Sequence, residues 1–407
     1  MRAYERFLQY VVIHTTSDDS SGLTPSSQCQ FDLARHLVEE MRRLGITDAH
    51  VDDKCYVYGT IPATPGCEDV PALGLCAHLD TAAFNGKNVR PRLVPDYDGG
   101  DIPLGDSGRV LSPAQFPHLP GLKGKTLIVT DGTTLLGGDD KAGIAEILTM
   151  AEAVLEQGLP HGRLCLSFTP DEEIGAGAAD LDLTKLGADV AYTVDGGALG
   201  LIQYENFNAA AARITITGVG VHPGDAKNVM RSALLVAHQL QAMLPGGETP
   251  QDTEGYEGFF HLTSLRGTVD EAEMEYIIRD HDSALFEGRK RTLLHIVQLL
   301  NDRWGEGTVR VELRDQYRNM EEVIRDHMDL IENARKATLQ AGVQPAMPPI
   351  RGGTDGCRLS FRGLPCPDLG TGVYACHGPF EHIAVEDMDK VVEILLHIVA
   401  LYAGPQA

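Results

Sequence analysis

The sequence predicts an α/β protein. A doubly wound, mostly parallel sheet forms a larger domain that is interrupted by a smaller, ferredoxin-like β-α-β-β-α-β domain. Three observations predict it. Apolar, strand-like runs alternate with amphipathic helical runs from the N-terminus to Val194, the rhythm of a parallel sheet with helices on both faces. The rhythm then changes to β-α-β-β-α-β order, the split ferredoxin-like arrangement, and it resumes after Asn319. Finally, 407 residues are too many for one ordinary core, so two domains are expected. The boundaries read as 1–207 for the first segment of the larger domain, 208–317 for the insert and 318–407 for the second segment.

Each element has a local reason. Residues 3–14 carry Phe7, Val11 and Val12 on one helical face, and Gln28 to Leu44 is amphipathic through Phe31, Ala34, Leu37, Val38 and Met41. Strands follow at Tyr56–Thr60 and Leu73–Ala77. The Pro/Gly/Asp-rich stretch Asn85–Gly124 reads as a surface excursion. Strand Thr126–Thr130, helix Lys141–Glu156, strand Arg163–Phe168 and strand Val190–Val194 continue the alternation. In the insert, Ala211–Thr217 alternates, Asp225–Leu244 is helical, and Phe259–Leu265 pairs with Val269–Ile278 as a hairpin. Helix Ser283–Trp304 and strand Val309–Tyr317 close it. Beyond Asn319 come a helix to about Leu339 and a last helix from Glu386 to Leu401.

Composition excludes several classes of function. With 43% hydrophobic and 23% charged residues the chain is an ordinary globular protein. A net charge of −24 argues against nucleic acid, because no basic patch offsets that field at a phosphate backbone. No run reaches transmembrane length and no signal-peptide core follows Met1, so no membrane partner and a cytoplasmic location are expected. The eight cysteines have no framework spacing and suit free thiols in a reducing compartment.

Chemistry gathers at strand ends. Thr169-Pro170-Asp171-Glu172-Glu173-Ile174-Gly175 puts adjacent glutamates just past an apolar run, where uncompensated carboxylates call for a cation. His78, Asp140, Asp195 and His377 lie just past other apolar runs, where open α/β sheets place ligands. His78 and Asp80 alternate on an extended segment and share a face, so one can bind a metal while the other orients its imidazole. Asp140 begins a helix, where the dipole favours an anion, and a carboxylate there can bridge two cations. Glu173, Asp195 and His377 fill the remaining positions. Two His and three carboxylates without a thiolate suit two divalent ions, zinc first, with cobalt or manganese also compatible. Glu172 is left unliganded beside the water such a centre acidifies, and is the natural general base and acid.

The runs A-H-L-D-T, G-D-D-K-A-G, P-D-E-E-I-G and V-D-G-G resemble the co-catalytic di-zinc peptidases, a family that includes aminoacylases and glutamate carboxypeptidases. E-N-F-N-A-A, V-H-P-G-D-A-K, T-E-G-Y-E-G-F-F-H-L, Y-I-I-R-D-H-D and P-I-R-G-G-T-D-G are similar to its tripeptide aminopeptidase branch. The likeness spans the chain. It implies that His78, Asp140 and Asp195 hold one zinc, and that Asp140, Glu173 and His377 hold the other. Asp80 would orient, Glu172 would accept the proton, and the Asp139–Asp140 peptide would be cis. It also gives His222 of the insert a role as donor to the scissile carbonyl. One departure stands out: the resembled pattern carries a His before Glu381, where this chain has Phe380, followed after the glutamate by His382.

Taken singly, these residues also have plainer readings as caps, surface charges or core groups. Cys76 and Cys376 flank proposed ligands but read as packed thiols. His118, His161, His238, His261 and His281 read as surface or structural, and Trp304 with Phe259-Phe260 as core. Arg351 precedes the glycine-rich Gly352-Gly353-Thr354-Asp355-Gly356, whose glycines let a substrate approach the backbone. It is expected to clamp the far carboxylate of a short peptide, with Arg279 closing over it. The expected activity is therefore release of the N-terminal residue from short peptides, above all tripeptides. The rivals are an N-acyl amino acid deacylase, a dipeptidase, or a catalytically silent metal-binding homologue. Dimeric relatives pair through the insert, so the resemblance leaves a homodimer of that kind open, and no apolar patch in the sequence decides it.

Overall fold

The computed structural model describes residues 1–404. They form two compact units. One comprises Met1–Tyr204, Glu322–Pro348 and Thr354 onward, and the other comprises Glu205–Glu321 with Pro349–Gly353.

The first unit is built on a seven-stranded sheet in the order His50–Val51, Val57–Ile61, Leu164–Thr169, Leu73–His78, Val190–Val194, Asp368–Leu369, Ile202–Gln203. The four strands from Leu164–Thr169 to Asp368–Leu369 are mutually parallel. The flanking strands run antiparallel. Every residue of Leu73–His78 and Leu164–Thr169 is buried. That is why L-G-L-C-A and L-C-L-S-F read as near-continuous apolar runs without alternation. Helix Gly138–Gln157 buries Ile144, Ile147, Leu148, Ala151 and Val154 and ends at Gly158, whose φ of 61° suits a left-handed helix stop.

Three local expectations are corrected here. Strand Leu127–Val129 leaves the main sheet for a separate antiparallel one, in the order Val373–Tyr374, His382–Ala384, Leu127–Val129, Arg92–Val94. The stretch Asn85–Gly124 is more than an excursion. It supplies Arg92–Val94 and the pair Ile102–Pro103 with Val110–Leu111, and it buries Tyr97, Ile102, Leu104, Leu111, Leu119 and Leu122 in a cluster shared with Leu127, Val129 and Ala384. Strands of two or three residues are too short to show a period in sequence. The helix expected up to Leu339 is broken into Glu321–Ile324 and Met328–Gln340 by the non-helical His327 (φ −133°, ψ 37°).

The second unit is a four-stranded antiparallel sheet in the order Phe259–Gly267, Glu271–Asp280, Asn208–Thr217, Val309–Tyr317. With helices Ala233–Met243 and Ser283–Trp304 it has the ferredoxin-like order. Ile214 and Ile216 face its core while Arg213, Thr215 and Thr217 face solvent, the alternation of a half-buried strand. The first helix is shorter than the expected Asp225–Leu244. The preceding chain forms a 3-10 turn at Pro223–Asp225 and a bridge between Val219 and Arg231, with Asn228 at φ 62°. Pro349–Gly353, read from sequence as part of the larger domain, packs in this unit because the Ile350 amide donates to the Glu205 carbonyl (2.8 Å) and Arg351 bonds the 253–257 turn. No helix among the described residues is long and apolar enough to cross a membrane.

Candidate metal centre

The first unit delivers its functional side chains from adjacent strand ends. His78 is the last residue of Leu73–His78, Asp195 follows Val190–Val194, and Glu172 and Glu173 open a 3-10 turn just past Leu164–Thr169. These strands are neighbours and parallel, so their carboxyl ends open on the same side of the sheet. Asp139 and Asp140 sit in the first turn of Gly138–Gln157, and His377 follows Val373–Tyr374 with φ 64°.

Around one carboxylate the cluster closes. Asp139 Oδ1 lies 3.0 Å from His78 Nε2, and Asp139 Oδ2 lies 3.1 Å from His377 Nε2. His78 Nε2 is also 3.5 Å from Asp195 Oδ1, and His377 Nε2 is 3.1 Å from Glu173 Oε2. Two sets of ligand atoms are near enough to share a cation: His78, Asp140 and Asp195, and His78, Asp139 and Glu173.

The residue between the two imidazoles is thus Asp139, where sequence reasoning had put Asp140. The Asp140 carboxylate is fully buried and turned onto backbone, accepting from the His78 amide (3.0 Å) and the Gly143 amide (3.3 Å). Both residues are non-helical (Asp139 φ −87°, ψ 101°; Asp140 φ −124°, ψ 30°), and their peptide is cis, as the resemblance implied. The helix-start argument favours any anion there and cannot choose between consecutive aspartates. The doubled Asp in G-D-D-K was the only signal available.

Hydrogen bonds to a buried outer layer hold the turn. Asp80, fully buried, accepts from the Glu172 amide (2.9 Å) and the Glu173 amide (3.2 Å), and its Oδ1 is 3.4 Å from His78 Nδ1. Nδ1 also lies 3.0 Å from the Asp80 carbonyl, an arrangement that turns Nε2 toward the cluster. Asp171, which sequence reasoning had passed over, adopts φ 60° and accepts from the Ser26 amide (2.7 Å) and Gln30 Nε2 (2.6 Å). It fastens the turn to the start of helix Gln30–Arg43.

The electrostatics call for cations. Burial, reinforced by the Asp195 charge, holds Asp140 and Glu172 well above the usual carboxylate range, and burial pushes Asp195 up to about 6. Burial works against the charged form of His78, yet Asp195, Asp139 and Asp80 outweigh it and raise the imidazole well above its ordinary value. Hydrogen bonds to Asp139 and Glu173 push His377 up to about 11. Glu173 Oε1 is buried and, among the described residues, has no hydrogen-bond partner. Lys141 does not neutralise the cluster, because its ammonium donates to the Ile13 carbonyl (2.6 Å). Five carboxylates against two imidazoles, with an unpartnered oxygen among them, fit a pair of divalent ions held by oxygen and nitrogen. Cys76 is packed in the core and Cys376 is half-buried; neither is in a ligand set.

The profile described as Peptidase family M20/M25/M40 matches residues 131–401. The chain belongs to this family. It is 49% identical over 405 residues to Peptidase T of Clostridium perfringens (strain SM101), covering 99% of each chain. To Peptidase T of Desulfitobacterium hafniense (strain Y51) it is 51% identical over 402 residues, 98% of each. The aminopeptidase PepT of Bacillus cereus superposes with a TM-score of 0.79 at 23% identity, over 99% of this chain and 98% of that one. A dinuclear metal-binding M20 peptidase of Bacillus subtilis superposes with a TM-score of 0.64 at 15% identity, over 98% of each. These two likenesses establish the fold.

The remaining candidates of this M20 peptidase lie in its second unit. His222 is exposed, and its Nδ1 accepts from the Gly224 amide (3.1 Å). Arg279 is buried, donates to the carbonyls of Ala210 (3.2 Å) and Ile278 (3.0 Å), and lies over the Tyr317 ring. Burial lowers its pKa, and among the described residues no carboxylate pairs with it. Arg351 is engaged otherwise than expected. Its guanidinium donates to the carbonyls of Gly255 and Glu257 (2.9 Å each) and to Thr253 Oγ1 (2.8 Å), between the rings of Phe207 and Phe259. The fork that a peptide carboxylate would need is already occupied. In the first unit His382 does not replace the missing histidine of the resembled pattern. It is fully buried, with Nδ1 2.7 Å from the Phe380 carbonyl and Nε2 2.9 Å from His118 Nε2, and burial pushes it down to about 4.

Proposed function

We propose that this chain is a di-zinc aminopeptidase that releases the N-terminal residue of short peptides, tripeptides above all. Glu172 carries the reading. Its amide is held by Asp80, and its carboxylate forms no ion pair with either imidazole among the described residues. A centre that only stores metal has no use for such a carboxylate. The relatives at about half identity over the full length are named Peptidase T, and a Staphylococcus aureus protein with the same fold is described as a tripeptidase; both support this substrate class.

In this reading His78, Asp139, Asp195, Glu173 and His377 would hold the two ions, with Asp140 behind them. The ions would polarise the scissile carbonyl and acidify the attacking water. Glu172 accepts the proton of that water and returns it to the leaving amine. Asp80 keeps the His78 ring and the Glu172 amide in place. His222 serves as a donor to the substrate carbonyl and Arg279 as the cation for its carboxylate. Arg351 supports the 253–257 turn. The free thiols fit a reducing compartment, the cytoplasm, and sedimentation decides whether two copies pair.

Zinc-loaded protein incubated with free tripeptides, dipeptides and N-acyl amino acids tests the proposal. Tripeptides are expected to be cut at the first bond and to exceed the other two classes in kcat/KM. Faster turnover of N-acyl amino acids would make the chain a deacylase on the same scaffold.

A further inference from the structure

We propose that Glu381 is a positioning residue that sets the place of the Asp139 carboxylate, and through it the spacing of the two cation sites; this rests on the metal reading above. Glu381 is 1% exposed. Its Oε2 accepts from the amides of Leu136 and Gly137 (2.7 Å each), and its Oε1 accepts from the Asp139 amide (2.9 Å). Three N–H groups from four consecutive residues converge on one carboxylate, the arrangement of a backbone anion nest. The loop bends tightly enough that Gly137 has φ 80°, and a Cβ on Gly138 would meet Val373 Cγ2 at 2.6 Å and Glu381 Oε1 at 3.2 Å. Glu381 and the Asp139 backbone therefore have one way to fit together.

Glu381 also belongs to the turn that carries His377. The Glu381 amide donates to the Gly378 carbonyl (3.3 Å), which closes that turn. One short segment thus grips Asp139 twice, at its amide through Glu381 and at its carboxylate through His377. The register that delivers Glu381 is set nearby, where His382–Ala384 pairs with Leu127–Val129 just before the loop. A carboxylate whose two oxygens serve different partners tolerates little displacement. A backbone anchor 242 residues away in sequence supplies the constraint that two free side-chain torsions do not.

The test uses Glu381→Gln, whose amide nitrogen cannot accept, and Glu381→Asp, which keeps the charge but is a methylene too short for both arms. Tyr10→Phe, which loses one hydrogen bond to Glu40 (2.6 Å), is the control for general destabilisation. Zinc stoichiometry and dissociation constants are measured by competition with a chromophoric chelator, and the cobalt-substituted proteins are compared by their d–d absorption. Both Glu381 variants are expected to bind zinc about 10- to 100-fold more weakly with an altered cobalt spectrum, while Tyr10→Phe matches wild type in both. If Glu381→Gln does not fold, Glu381→Asp decides alone. Folded variants with wild-type zinc constants and an unchanged spectrum overturn the proposal. None of these measurements needs a peptide. A wild type that binds two ions yet ignores tripeptides defeats the proposed function only, and one that binds no pair of ions defeats both.

Discussion

The two units hold their charged residues in opposite ways. In the first, carboxylates and imidazoles from five parts of the chain converge with too much negative charge and, among the described residues, an unpartnered Glu173 oxygen. In the second, the conspicuous guanidinium of Arg351 is directed at backbone carbonyls of its own unit. A motif marks a site only where the fold leaves donors or acceptors unmatched. Buried groups left short of partners pay a desolvation cost that a ligand can relieve, whereas satisfied groups support structure.

The sharpest way to break this contrast is at Glu172. Glu172→Ala should lower kcat by about 10²- to 10⁴-fold, the usual weight of a general base, while elemental analysis still finds two metals. Loss of a metal would mean that the roles of Glu172 and Glu173 are exchanged. Next in size is the choice between the paired aspartates. Asp139→Asn should empty both cation sites, because this carboxylate reaches both imidazoles. Asp140→Asn should keep a stoichiometry near two and lose mainly stability, since its partners are backbone amides. The opposite pattern would return the bridging role to Asp140.

A smaller effect separates the metal-free from the loaded centre. His377 is raised to about 11 by Asp139 and Glu173, so its charged form is favoured in the folded state. That contribution is fully present below the unfolded value of about 6.5 and is lost as pH rises through the folded value. The imidazole is partly exposed, so the effect is modest. Metal-free protein should therefore melt at progressively lower temperature between pH 7 and pH 11, relative to metal-free His377→Asn. Zinc-loaded protein should lack this difference, because the metal takes the place of the proton. Equal slopes in all three samples would remove His377 from the centre.

The smallest expected effect is at Arg351. Arg351→Lys should reduce stability by about 0.5–1.5 kcal/mol, read as a small drop in Tm, because the exposed Gly255 and Glu257 carbonyls exchange their donors for water. Amidating the C-terminus of a tripeptide should lower kcat/KM by the same factor in wild type and variant. A smaller amidation loss in the variant would restore Arg351 as the carboxylate clamp.

Legibility of the sequence followed the range of the interactions involved. The near-continuous apolar runs Leu73–Ala77 and Leu164–Phe168 announced buried parallel strands, and the residues just past them announced a site, because both are local consequences of a strand running through a core. The strands of Asn85–Gly124 left no such mark, being two or three residues long. His118 and His382 likewise showed no pattern, since their contact joins the excursion to the strand His382–Ala384 only once both are folded.

By itself, then, the sequence determined the fold class, the acidic and imidazole composition of the centre, and a spare glutamate beside the ligands. Period, strand-end position and residue chemistry are properties of short segments. Only the tertiary structure decided which of two consecutive aspartates faces both imidazoles, that Asp171 is fastened by Ser26 and Gln30, and that Glu381 cradles the loop of Asp139. It also decided that Arg351 is already engaged. Each of these turns on the direction of one side chain at a backbone kink or on a partner more than ninety residues distant, and no local pattern encodes either.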